Sequence, residues 1–156
     1  MVYAEARANG DALVNKSQVT VNIDSLCQAM EDRFVLTLNE WRRNRDIAEL
    51  EYDYNMERQL TDPHNKWQLG NKRIAHGEGG RSLHSISTSL GFRGVGECVA
   101  YNTRPDFGEI SSFFIQYKNS KSHWKILTSS DYKYISVSVM YDNKLNRYYS
   151  TVNVRW

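Results

Sequence analysis

The chain has 156 residues, of which 40% are hydrophobic and 24% charged; this fits one soluble globular domain with a real core and excludes a disordered chain. A formal net charge of +2, with no basic block interleaved with aromatics, gives no footprint for nucleic acid. No apolar run is long enough to span a bilayer, and residues 1–22 lack the basic and apolar regions of a secretory signal.

Residues 1–24 are polar and weakly patterned and read as an N-terminal arm, with residues 18–22 a candidate short strand. A flexible tail and a docking segment both fit that arm. A long helix is expected from Ser25 to about Arg45. Ser25 with Gln28 three residues later matches a capping box. Leu26, Met30, Phe34, Leu38 and Trp41 then recur at three- or four-residue spacing as one apolar stripe. Arg42, Arg43 and Arg45 fall at the end of that helix, where cations complement its dipole. Residues 47–53 read as a connector. A second helix starts near Tyr54, with Met56, Leu60, His64 and Trp67 at helical spacing and a kink or break at Pro63. His64 reads as a helix-surface or core histidine rather than a ligand.

Residues 70–96 are glycine-rich and read as loop around one short helix over residues 82–90. Gly77, Gly79 and Gly80 lack the spacing of a phosphate loop. A strand follows from Glu97 through Val99 and Tyr101. Residues 106–119 read as helix, with Phe107, Ile110, Phe113, Phe114 and Tyr117 on a wide apolar face. Residues 134–142 alternate Ile135, Val137, Val139 and Tyr141 against Ser136, Ser138 and Met140. Residues 142–146 supply turn chemistry, and residues 148–156 pair back with Val152, Val154 and Trp156 on one face. The pattern implies one buried face and one more polar face. The simplest packing puts helices on both faces of a mainly antiparallel sheet, an α+β class.

His76, Glu97 and His123 carry the candidate chemistry. Two imidazoles and a carboxylate in one cleft can hold a divalent metal or move a proton. Their spacing is long and non-local, so it is not diagnostic alone. There is no Gly-x-Ser-x-Gly elbow, and Ser120 and Ser122 beside His123 read as cap or turn residues. Glu97 and Glu109 are a candidate carboxylate pair. Cys27 and Cys98 can form one disulfide at most, which is no framework.

Taken in order, the segments resemble the CAP superfamily (cysteine-rich secretory proteins, antigen 5 and pathogenesis-related 1), also called the SCP-like domain. Leu38-Asn39-Glu40-Trp41-Arg42 resembles the family's first-helix segment, and Leu50-Glu51-Tyr52-Asp53 the segment that introduces its second helix. Ile74-Ala75-His76 resembles the first-histidine segment. Leu90-Gly91-Phe92 with Gly96-Glu97-Cys98-Val99-Ala100 resembles the glutamate segment. Tyr117, Asn119-Ser120, His123 and Ile126-Leu127 resemble the second-histidine segment, and Tyr132-Lys133-Tyr134-Ile135 the strand that follows. The likeness covers roughly residues 30–156, and the low cysteine count is similar to the bacterial branch.

The resemblance implies a three-layer α/β/α sandwich with a C-terminal β-hairpin, formed by residues 25–156, and an open groove lined by two histidines and two acids. His76, Glu97 and His123 carry over. The fourth acid does not, because Lys118-Asn119-Ser120 holds none; Glu78 and Glu109 are stand-ins. Some members bind zinc or another divalent metal, which here implies His76 and His123 as ligands. The implied function is an extracellular or assembly-associated binding module, non-enzymatic, taking a protein partner or a small apolar or lipid ligand. The leading Met1 and the missing signal also allow a virus-particle component docked through residues 1–24. The alternative is a metal-assisted or acid–base hydrolase of peptidase type using His76, Glu97 and His123.

Overall fold

Helix α1 (Lys16–Arg43) is 28 residues long and opens the computed structural model, which describes residues 16–103 and 111–156, with only the backbone of 16–22. Expectations for residues 1–15, and for Phe107, Glu109 and Ile110, lie outside the described residues. The expected stripe forms the inner face of α1: Met30, Phe34 and Leu38 are fully buried, and Leu26 and Trp41 pack at the margin. The start differs from expectation. The helix already runs through residues 18–22 and Ser25, so there is no strand and no capping box there. Extending a formed helix adds one hydrogen bond per residue fixed, which outweighs a five-residue β-branched alternation. The Gln28 amide instead donates to Asp32 Oδ1 at 3.0 Å, one turn on.

Strand β1 (Glu51–Tyr52) lies within the expected connector. Asn39 of α1 holds its approach, donating to Leu50 O at 3.0 Å and accepting from Leu50 N at 2.7 Å. Asp53 then caps α2 (Tyr54–Met56) by accepting from Met56 N at 3.0 Å. The helix does not break at Pro63. A π-helical turn over Glu57–Thr61 leads directly into α3 (Asp62–Asn71), and Pro63 sits in the first turn of α3. The change of register falls where proline lacks an N–H, so the chain continues without a kinked end.

The short helix α4 (Leu83–Ser89) forms as expected, with Ser82 Oγ accepting from Ser85 N. β2 (Gly96–Asn102) follows. Helix α5 (Ser112–Lys118) starts later than the sequence pattern suggests, because Ser111 Oγ caps it at Phe114 N. Then come α6 (Lys121–Leu127), β3 (Tyr134–Asp142) and β4 (Arg147–Arg155), the expected hairpin.

The sheet order is β1-β3-β4-β2, with β1 parallel to β3 and the other pairs antiparallel. One face carries Cys98, Ile135, Val137, Val139, Val152 and Val154 and packs against α1, α5 and α6. The other carries Ser136, Ser138, Thr151 and Asn153, all fully buried. Its polarity is matched by α3 rather than by water. Asn65 Nδ2 donates to Ser138 O at 3.1 Å and Tyr149 O at 3.0 Å, and Gln68 Nε2 to Thr151 Oγ1 at 3.0 Å. Met56 of α2, Leu60 of the π-helical turn and Phe92, just after α4, make a second small core. The result is the expected α+β sandwich, with helices on both faces of a mainly antiparallel sheet.

Candidate functional site

Strand register builds the centre of the site. Glu97 of β2 lies opposite Asn153 of β4, which lies opposite Ser136 of β3. This polar rung crosses the face that α3 covers. Asn153 Nδ2 donates to Glu97 Oε2 at 2.8 Å, and Thr61 Oγ1 donates to Asn153 Oδ1 at 2.8 Å while also touching Ser136 Oγ. Glu97 is 3% exposed. A buried carboxylate needs hydrogen-bonded partners to offset its lost hydration. The rung supplies one partner, and His76 supplies another.

His76 Nδ1 lies 3.1 Å from Glu97 Oε1, while more than half of its side chain is exposed. The hydrogen bond to Glu97 raises its pKa; burial opposes this, and the Glu97 charge adds to it. With Nδ1 committed to Glu97, Nε2 is the nitrogen left to meet a ligand. His123 sits on α6, edge-on to Tyr117 with ring centres 5.0 Å apart. Burial first, and the nearby His76 charge second, lower its pKa. The structure therefore places all three expected residues in one region.

His76 lines a cleft of about 1000 Å³ whose walls include Leu83, Phe92, Arg93, Val95 and Trp156. Glu97 stands behind His76, and neither Glu97 nor His123 is among the lining side chains. Gly94, at φ +59°, allows this wall to close, since a Cβ there would meet Trp156 Cδ2 at 2.2 Å. Glu78 meets buried His64 Nδ1 at 2.8 Å. Glu109 lies outside the described residues. His64 itself, read from sequence as a surface or core histidine, is a core residue joined to the site: its Nε2 is 3.6 Å from Glu97 Oε1.

Cys27 and Cys98 are buried free thiols, not a disulfide. Burial pushes the Cys98 thiol well above its usual range, and the nearby Glu97 charge adds to this, which disfavours the thiolate. A structural or catalytic zinc takes three or four protein ligands. Among the described residues no group of three or more His, Cys, Asp or Glu side chains is set to hold a metal ion.

No protein-family model matches the sequence, and no curated protein does. Solved structures do match. An outer surface protein of Borrelia burgdorferi is 18% identical with a TM-score of 0.65, covering 78% of this chain and 87% of that one. An extracellular SCP-domain protein of Bacillus anthracis is 16% identical with a TM-score of 0.70, covering 92% and 44%. A cysteine-rich secretory protein of Staphylococcus aureus is 15% identical with a TM-score of 0.63, covering 83% and 39%. The chain spans less than half the length of the last two. All three are bacterial, and no helix among the described residues is long and apolar enough to cross a membrane. A sheet of order β1-β3-β4-β2 between two helical layers, matched by these structures, identifies the chain as having the CAP, or SCP-like, fold.

Proposed function

We propose that the chain is an extracellular or surface-associated binding module whose cleft takes a small apolar or lipid ligand without turning it over. The observation that carries this reading is the cleft itself. Its walls hold Leu83, Phe92, Val95 and Trp156, with His76, His84 and Arg93 and the hydroxyls of Ser82, Ser87 and Thr88 as polar points, an apolar surface with polar anchors of the kind a ligand site uses. The buried position of Glu97 supports binding over chemistry. Both its oxygens are engaged by protein donors, so it reaches a ligand only through His76. The names of the three structural neighbours, an outer surface, an extracellular and a secretory protein, support the location. They lend nothing to a virus-particle role. A protein partner at the same cleft is the other occupant.

The His76–Glu97 pair favours a second reading, an acid–base hydrolase, because a carboxylate that orients an imidazole is half of such a site. A divalent cation in that reading rests on His76 and His123. The two readings separate when peptide and ester panels are hydrolysed by wild type, His76→Ala and His123→Ala, with bound zinc measured on the same samples. Folded wild type with no turnover and no stoichiometric zinc is the expected result. Turnover abolished by either substitution would sink the binding-only reading.

A further inference from the structure

We infer that His64 is a positioning residue for His76, clamping the loop on both sides of that histidine onto helix α3. The side chain of His64 is 3% exposed and is not among those lining the cleft at His76; it acts on its neighbours. Its Nε2 donates to the carbonyl of Ala75, the residue before His76, at 2.6 Å. Its Nδ1 lies 2.8 Å from Glu78 Oε1, two residues after His76. Gln68, one turn further along α3 and on the same face, accepts from Ala75 N at 3.1 Å. The segment that carries His76 is thus held at three points by an i, i+4 pair. The helix side is equally fixed. His64 stacks on Trp67 with ring centres 5.7 Å apart and planes 13° apart, and Gln68 is bonded to Thr151 of the sheet.

The loop has little freedom to compensate. Glu78 N donates to Arg81 O, and Arg81 N to Glu78 O, each at 2.9 Å. Gly77 sits so close to this bridge that a Cβ would meet Arg81 O at 2.3 Å. Its position relative to α3 is therefore set by the His64 and Gln68 contacts. The same His64 Nε2 is 3.6 Å from Glu97 Oε1, the oxygen that takes His76 Nδ1. One buried ring thus fixes the backbone that presents His76 and lies beside the acceptor that orients it, which Asn153 holds from the other side. The acidic groups facing that ring are Glu78 and Glu97. A role of this kind lies outside the three site residues that the sequence singles out, and it holds whether or not the cleft takes a ligand.

The test is nitrogen-15 NMR of the His76 imidazole, read with hydrogen exchange at the Glu78 amide, in the unliganded protein. His64→Phe keeps an aromatic ring for the Trp67 stack but removes both ring nitrogens. Wild type is expected to show His76 held as the Nδ1–H tautomer. Folded His64→Phe is expected to lose that preference and to exchange the Glu78 amide roughly tenfold faster, as local opening becomes easier. His64→Gln, which keeps a donor within reach of Ala75, is expected to restore most of the wild-type signature. Unchanged tautomer and exchange in folded His64→Phe would overturn the inference. If that variant does not fold, Glu78→Ala cuts the clamp at a partly exposed side chain, and the same two readouts left unchanged would overturn it. Neither readout involves a ligand, so failure here is distinct from failure of the binding reading.

Discussion

Glu31 faces the apolar side of the sheet, where Val139 N–H donates to its Oε2 at 2.8 Å. Burial raises its pKa to about 8, partly offset by the Val139 bond and reinforced by Asp62, Glu57 and Asp32. The folded state therefore keeps a proton that the unfolded chain releases above its ordinary carboxylate pKa. Its contribution is complete at low pH and is lost as pH rises from about 4.5 to about 8. Urea unfolding of wild type is expected to weaken across that window. Glu31→Gln keeps an acceptor for Val139 and is expected to flatten the profile, gaining roughly 2 kcal/mol at pH 8, less than the full shift implies because the side chain is only partly buried. The two site histidines move in opposite directions. The His76 charge, favoured by Glu97, is lost as pH rises through a raised pKa; His123 resists protonation as pH falls. NMR titration is expected to show His76 holding its proton to higher pH than His123, and His76→Ala to move His123 back up. Residue types make His76, Glu97 and His123 candidates, and the order of their flanking segments joins them. They do not reveal His64, because a histidine at helical spacing looks like any core residue. Nor do they reveal Asn153, whose meeting with Glu97 depends on strand register.

At the scale of elements, side chains reach across gaps that backbone pairing leaves. β1 pairs with only the first two residues of β3. Beyond it, the Tyr52 hydroxyl donates to Val137 O at 3.1 Å and accepts from Val137 N at 3.2 Å, next to the Glu31 bond to Val139. An edge strand is thereby blunted against pairing with another chain. A two-residue strand has no periodicity to read, which is why residues 47–53 look like a plain connector. Arg42 is similar: its sequence position suggests only a cation at a helix end, yet it is fully buried. It donates to Ala48 O at 2.8 Å and to Leu127 O and Ser129 O at 2.9 Å, joining α1 to the C-terminal end of α6. Arg42→Met is expected to strand three carbonyls and to cost about 3 kcal/mol in a urea titration, with the slope unchanged. A loss below about 1 kcal/mol would mean that water replaces the guanidinium. Gly77→Ala is expected to disturb the His76 loop through its contact with Arg81 O, lowering stability by about 2 kcal/mol by the same assay.

For the molecule as a whole, the fold follows from two periodicities. A 3.6-residue stripe along α1 meets the period-2 apolar face of the β3–β4 hairpin, and a buried polar face opposite meets the side-chain amides of α3. The first match is legible in the sequence, because apolar side chains gain by any close packing. The second is not, because Asn65, Gln68 and Thr151 look like surface residues until each finds its partner. That polar match brings Thr61 and His64 over Glu97 and sets the cleft beside it. The central claim is that this cleft holds an apolar ligand, and Trp156 in its wall is the natural reporter. The most direct measurement is a tryptophan-fluorescence titration with palmitate as probe, run on wild type, Trp156→Phe and His76→Ala. A saturable blue shift at one equivalent, absent in Trp156→Phe and weakened in His76→Ala, is the expected result. A flat titration, or one that Trp156→Phe leaves unchanged, would contradict it.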